Sequence, residues 1–97
     1  MVKEIPTKEV RQRIDAGESL CLLDVRRQEE WDEMHVPGAI HIPLDELEAR
    51  LNELDAYRST ELIVYCRTGN RSSQACMLLD MFGFEHPVNM QGGVVLW

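Results

Sequence analysis

Residues 61–83 read ELIVYCRTGNRSSQACMLLDMFG, and the order of patterns within them decides the fold. Leu62 to Tyr65 form a short apolar run of branched and aromatic residues, the mark of a fully buried parallel strand. Cys66 closes it. Arg67 to Asn70 supply a tight turn containing Gly69, and from Arg71 onward the spacing becomes helical. Ala75, Leu78, Leu79 and Phe82 recur at i, i+3, i+4 and i+7, one apolar helix face. Gly83 stands where a left-handed C-cap belongs, with Phe84 placed to fold back on the last turn. A thiol is thus expected at the carboxyl end of a buried strand, in a loop entering a helix N-terminus. Open α/β sheets bind ligands there, and the helix amides and dipole favour an anion.

Outward from this stretch, the chain alternates strands and helices. Lys3 to Ile5 reads as a short edge strand. Thr7 is an N-cap candidate for a helix carrying Val10 and Ile14, stopped by Gly17. Leu20 to Val25 (LCLLDV) is a second buried strand, with Cys21 a small core hydrophobe. The charged run RRQEEWDEM follows as a short helix or turn anchored by Trp31, with Glu29, Glu30, Asp32 and Glu33 as a solvated face. His35 to Gly38 is turn chemistry, and Ala39 to Ile42 a short strand. Leu44, Leu47, Leu51 and Leu54 mark an amphipathic helix. Val88 to Met90 is a last strand, and after Gln91-Gly92-Gly93 residues 94–97 begin an element the chain does not finish. This alternation predicts right-handed crossovers and a three-layer α/β/α fold, with a central, mostly parallel sheet of about five short strands.

With 97 residues and 44% hydrophobic content, the chain is expected to be one domain over residues 1–97. A formal charge of −7 argues against nucleic acid, whose phosphates need positive surface. No stretch has membrane-spanning length, so no membrane partner is expected. The N-terminus lacks the apolar core of a secretory signal, although a mature exported chain whose leader had been removed would read the same. Cys21, Cys66 and Cys76 are an odd count with no CxxC spacing and no histidine at metal-ligand distance, which fits neither a disulfide framework nor a zinc site. No metal or cofactor is therefore expected, and the thiols suggest a reducing, cytoplasmic compartment.

Chemistry concentrates in the loop. The thiolate is the nucleophile, and a cysteine at a helix N-terminus beside arginine has its pKa lowered from ~8.5 toward roughly 3.5–7.5. Successive amides of so short a loop can converge on whatever sits above the sulfur, and Gly69 permits the positive φ such a curve needs. Arg67 and Arg71 offer planar forks to an oxyanion, while Ser72 or Ser73 can cap the helix or add a donor. A lone strand-end cysteine is usually core filling. That explanation does not account for a cysteine, a glycine and two arginines within six positions.

The segment Cys66-Arg67-Thr68-Gly69-Asn70-Arg71-Ser72 resembles the active-site loop of the rhodanese-like (thiosulfate sulfurtransferase) family. LLDVRRQEEWDEMHVPGAIHIPLDEL resembles that family's first buried strand and His-x-Pro-Gly-Ala turn, and Met90-Gln91-Gly92-Gly93 with Trp97 its closing signature. Met34 departs from the glycine many members carry before the histidine. The end at Trp97, where members usually run on, suggests a clipped domain. The resemblance implies that Cys66 attacks the outer sulfur of thiosulfate or a similar small anionic donor, becomes a persulfide, and yields the sulfur to a thiophile: cyanide in vitro, or a small-molecule or protein thiol. It implies that the amides of Arg67 to Arg71 hold the persulfide and the side chains of Arg67 and Arg71 orient the donor. Asp24, Arg26 and His35 are expected to be structural support rather than catalysts. His41 and His86 have no partner visible in the sequence, and Cys76, ten residues from Cys66, is expected to fill core.

Two competitors remain. A phosphatase of the same architecture needs a wider ring of amides than a loop with four residues, Arg67 to Asn70, between cysteine and arginine. A sulfur-carrying, sensing or docking module of a larger protein would keep the same loop.

Overall fold

A computed structural model describes residues 2–97. The order is β1 (Lys3–Pro6), α1 (Thr7–Asp15), β2 (Leu22–Asp24), α2 (Gln28–Glu33), β3 (Ile40–His41), α3 (Leu44–Leu47) running into a 3₁₀ segment (Glu48–Tyr57), β4 (Glu61–Tyr65), α4 (Asn70–Met81), β5 (His86–Gln91) and a 3₁₀ turn (Val94–Leu96). The five strands form one sheet in the order β1-β5-β4-β2-β3. Every pairing is parallel, with Lys3 opposite Val88, Ile63 opposite Val88 and Leu22, and Leu23 opposite Ile40. The three-layer parallel α/β architecture expected from the alternation is the one observed.

Alternation along β4 divides the core. Leu62, Val64 and Cys66 face one layer with Leu47, Leu51, Leu54, Leu79 and Phe84. Ile63 and Tyr65 face the other with Val10, Val36, Met90 and Val94. β4 is therefore buried on both sides, which is why its sequence is apolar without a break. No helix among the described residues is long and apolar enough to cross a membrane.

Several elements differ from the sequence reading. Pro6, not Thr7, occupies the N-cap of α1, with no side-chain cap bond. The Thr7 hydroxyl is buried and lies 2.8 Å from the Gly93 carbonyl and 3.2 Å from that of Gln91, so it fastens the C-terminal segment instead. The leucine-rich helix is α-helical only over α3, then tightens to 3₁₀ with a kink at Arg50 (φ −118°, ψ 16°). Leu47, Leu51 and Leu54 still reach the core, because packing rather than regular hydrogen bonding sets their direction. β2 is shorter than Leu20 to Val25, and β5 longer than Val88 to Met90.

Phe82 was expected on the buried face of α4 but is 42% exposed. The helix ends beneath it. Gly83 takes φ 89°, and the Phe84 amide returns to the Leu79 carbonyl at 3.0 Å. This αL exit sends Phe84 into the core in place of Phe82. Phe84→Ala is expected to cost about 3–5 kcal/mol in denaturant unfolding, and Phe82→Ala within about 0.5 kcal/mol of zero. Equal losses for the two would contradict this exchange.

Candidate functional site

Cys66 follows the last residue of β4, and its side chain is turned into the curve of the loop, with the residue 1% exposed. The Gly69 amide donates to Sγ at 3.0 Å, and the Ser72 hydroxyl oxygen lies 3.3 Å from it. Gly69 holds the sharpest part of the curve at φ 112°, at the head of α4, where a side chain would be strained. No side chain caps this helix end, so neither Ser72 nor Ser73 acts as a cap.

The amides point inward because the carbonyls are engaged on the outer side. The Cys66 carbonyl accepts from Val94 N–H at 2.9 Å, and that of Arg67 from Val95 N–H at 3.1 Å. The Gly69 carbonyl accepts from the Asn89 side-chain amide at 3.3 Å. Gly93 lets the C-terminal segment come this close to the loop: a Cβ there would overlap the Arg67 carbonyl.

These contacts set the charge on the sulfur. Burial pushes the Cys66 thiol up; hydrogen bonding from the Ser72 hydroxyl and from the amides of Ser72, Gly69 and Thr68 outweighs it, leaving the pKa below the ordinary value. The other two thiols move the opposite way. Burial raises Cys21, and Cys76 is pushed up to about 12. Cys76 is fully buried in α4, as expected of core filling.

The two loop arginines part company. Arg71 forms a bidentate pair with Glu30 of α2, at 2.7 and 3.0 Å. Glu30 also accepts from the Arg27 amide at 3.0 Å. The Arg71 hydrogen bonds, with the Arg27 amide, hold the Glu30 carboxyl at about 2 against partial burial. Glu30 is therefore a strut between α2 and the loop rather than part of a solvated face. Arg67 is exposed and, among the described residues, in no ion pair. It lines an open cleft of about 370 Å³ with Arg26, Glu30, Met34, Val94 and Val95. Thr68 and Asn70 are exposed on the same loop.

Asp24 and Arg26 form a buried pair, with the guanidinium 3.1 and 2.8 Å from the two carboxylate oxygens. Arg26 also donates to the Met34 carbonyl at 2.6 Å and lies 5.7 Å from the Tyr65 ring centre. His35 is exposed and stacks on Trp31 at 3.6 Å, its Nδ1 2.8 Å from the Trp31 carbonyl. His41 stacks on the same indole at 4.7 Å, with Nε2 2.8 Å from the Arg26 carbonyl. These contacts brace the ends of β2 and α2.

Sequence reasoning missed Asn89. It is 2% exposed in β5, between Val88 and Met90. A lone amide in a buried apolar strand was the available signal, since such a group is hydrogen-bonded or costly.

The rhodanese-like domain model matches residues 6–97. The chain belongs to the rhodanese-like family. The putative sulfurtransferase YtwF of Bacillus subtilis (strain 168) is 38% identical over 96 residues, covering 99% of this chain and 90% of YtwF. The putative sulfur carrier protein YrkF of the same organism is also 38% identical, over 99% of this chain, which spans about half (51%) of YrkF. Among solved structures, a rhodanese-like domain protein from Staphylococcus aureus superposes with a TM-score of 0.90 at 28% identity, covering 99% of this chain and 91% of that one. Rhodanese membership places the chain among sulfurtransferases and sulfur carriers.

The Glu30–Arg71 strut has a pH signature. Because the folded carboxyl is depressed, its contribution is complete above the unfolded value of ~4.3 and is lost as pH falls toward about 2. Glu30→Gln is expected to cost roughly 1 kcal/mol at pH 7, with the difference from the parent closing between those limits. A difference independent of pH in urea titrations would contradict the assignment.

Proposed function

We propose that the chain transfers a sulfane sulfur from thiosulfate, or a similar oxyanionic donor, to a thiophilic acceptor through a persulfide on Cys66. The Cys66 thiolate attacks the outer sulfur of the donor. A new S–S bond forms, the donor S–S bond breaks, and sulfite leaves with the electron pair. The acceptor, cyanide in vitro or a thiol in the cell, then attacks the outer sulfur and restores the thiolate. The charges balance at each step, so no general base, metal or cofactor is required.

One observation carries this proposal: a buried thiol onto which loop amides and the head of α4 converge. That arrangement stabilises a charged sulfur, and preorganised donors of this kind are often the largest catalytic contribution. We assign the inner sulfur to the amides of Thr68, Gly69 and Ser72. Arg67 receives donor binding, being the exposed cation on the loop. Asn70 and Thr68 form the rim, Arg71 holds the loop through Glu30, and Asp24, Arg26 and His35 remain structural. Three free thiols support a reducing, cytoplasmic setting.

A sulfur-carrier role is the second proposal, and the depth of Cys66 favours it. With the residue 1% exposed, a persulfide would present only its outer sulfur, sheltered until a fitting acceptor arrives. YrkF is itself a putative sulfur carrier.

Intact-mass spectrometry after thiosulfate treatment is expected to find one added sulfur, absent in Cys66→Ser. Discharge of that sulfur by cyanide and small thiols supports the enzyme, and retention supports the carrier. Failure to load would end both. Arg67→Ala is expected to raise KM for thiosulfate about tenfold, the loss of roughly one charge-assisted hydrogen bond, with kcat and the melting temperature nearly unchanged. An unchanged KM would remove Arg67 from donor binding.

A further inference from the structure

The Ser72 hydroxyl has one proton and two acceptors within reach. Its oxygen lies 2.6 Å from Asn89 Oδ1 and 3.3 Å from Cys66 Sγ. The orientation of Asn89 follows from its other partners. Its Nδ2 lies 3.0 Å from the Glu4 carboxylate and 3.3 Å from the Gly69 carbonyl. Both are acceptors, so the NH₂ group faces them and Oδ1 must face Ser72. An amide oxygen can only accept. At 2.6 Å it holds the hydroxyl proton, which leaves an oxygen lone pair facing Cys66.

We propose that Asn89 is a positioning residue for sulfur transfer: it competes with Cys66 for the single Ser72 proton, so that the hydroxyl accepts from the sulfur when Cys66 is a thiol and donates to it only when Cys66 is a thiolate. The thiol state completes a chain, S–H to Ser72 Oγ and O–H to Asn89 Oδ1. On loss of the thiol proton to solvent, the hydroxyl turns to the sulfur and the buried Oδ1 is left without its donor, a costly condition. When Sγ gains the outer sulfur it becomes a neutral, poorly accepting atom, and the hydroxyl proton returns to Asn89. Asn89 thereby disfavours the bare thiolate relative to both the thiol and the persulfide. The result is a more basic, more nucleophilic sulfur that is driven toward the loaded state. No net proton transfer is added to the attack, only a change of hydrogen-bond partner. This inference rests on the sulfur-transfer proposal for Cys66.

Other charges act on the sulfur as well. Arg71 from α4 bears on it, the Asp24–Arg26 pair at the end of β2 bears on Arg71 through Asp24, Glu4 of β1 lies behind Asn89, and Arg67 is its chain neighbour. Cys76, the nearby thiol of α4, is pushed up to about 12. Replacing Asn89 also removes its bonds to the Glu4 carboxylate and the Gly69 carbonyl, so the comparison with and without Ser72 is what isolates the shared proton.

The test is an absorbance titration of the thiolate near 240 nm on the whole chain, with the Cys66 transition identified by its loss in Cys66→Ala. Asn89→Leu is expected to lower that transition by about one pKa unit, the value of one hydrogen bond. The rate of sulfur loading from thiosulfate, per thiolate, is expected to fall roughly threefold, because nucleophilicity falls with basicity. Both effects are expected to vanish in a Ser72→Ala background, which a merely structural Asn89 would not produce. Asn89→Val, suited to a buried strand, is the second variant should the leucine not fold. An unchanged or raised transition in a folded variant, or the same shift without Ser72, overturns the proposal. Loss of the fold in both variants assigns Asn89 to the scaffold and overturns it too. The titration uses no sulfur donor, so its outcome is separate from any failure of the wild-type chain to form a persulfide.

Discussion

The structure depends on which way six backbone positions face. Between Cys66 and Arg71 the chain turns the Gly69 amide toward one sulfur and the carbonyls of Cys66 and Arg67 toward the C-terminal segment. A loop this short cannot satisfy both sets of polar groups internally, and buried polar groups left unpaired are costly. The outer set is met by the amides of Val94 and Val95 and by the side chain of Asn89. The inner set is then left with Cys66 Sγ, the acceptor at the centre. The cysteine and its buttress form one hydrogen-bonding solution, in which the last residues hold the loop open toward the sulfur.

That solution explains distant choices. Gly93 lacks a side chain because the Arg67 carbonyl occupies the place a Cβ would take. Thr7, at the start of α1, is buried against the carbonyls of Gln91 and Gly93, so the first helix steadies the same segment. Glu30 crosses from α2 to hold Arg71. In a chain of net charge −7, Glu30 and Asp24 are paired with Arg71 and Arg26, while Glu33 lines the cleft unpaired among the described residues. Arg67 is left as exposed positive charge at the cleft. Buried ion pairs contribute little net stability once desolvation is counted. The Asp24–Arg26 pair matters more for fixing the end of β2 against the Met34 carbonyl than for its energy.

Legibility followed the range of each interaction. β4, the loop and α4 could be read because local patterns report local structure: an unbroken apolar run, a glycine turn, then helical spacing. Gly83 and Phe84 were legible as a helix exit, but the same exit removed Phe82 from the buried face, and the spacing alone did not reveal where the helix stops. The acidic run around Glu30 concealed its strut, because a carboxylate facing water and one facing an arginine forty-one positions away look identical in a sequence. Asn89 and Gly93 were missed as partners of the loop for the same reason.

The sequence by itself determined the family of folds, the position of the loop cysteine and the turn that carries it. Strand and helix periodicity, one cysteine and one glycine suffice for these, since each is a property of consecutive residues. The tertiary structure decided what surrounds that sulfur: which arginine is spent on Glu30 and which stays exposed, which carbonyls are drawn outward, and which acceptor holds the Ser72 proton. Those outcomes depend on distances between β1, β5 and the loop, elements that meet only when the parallel sheet closes. No local pattern encodes them.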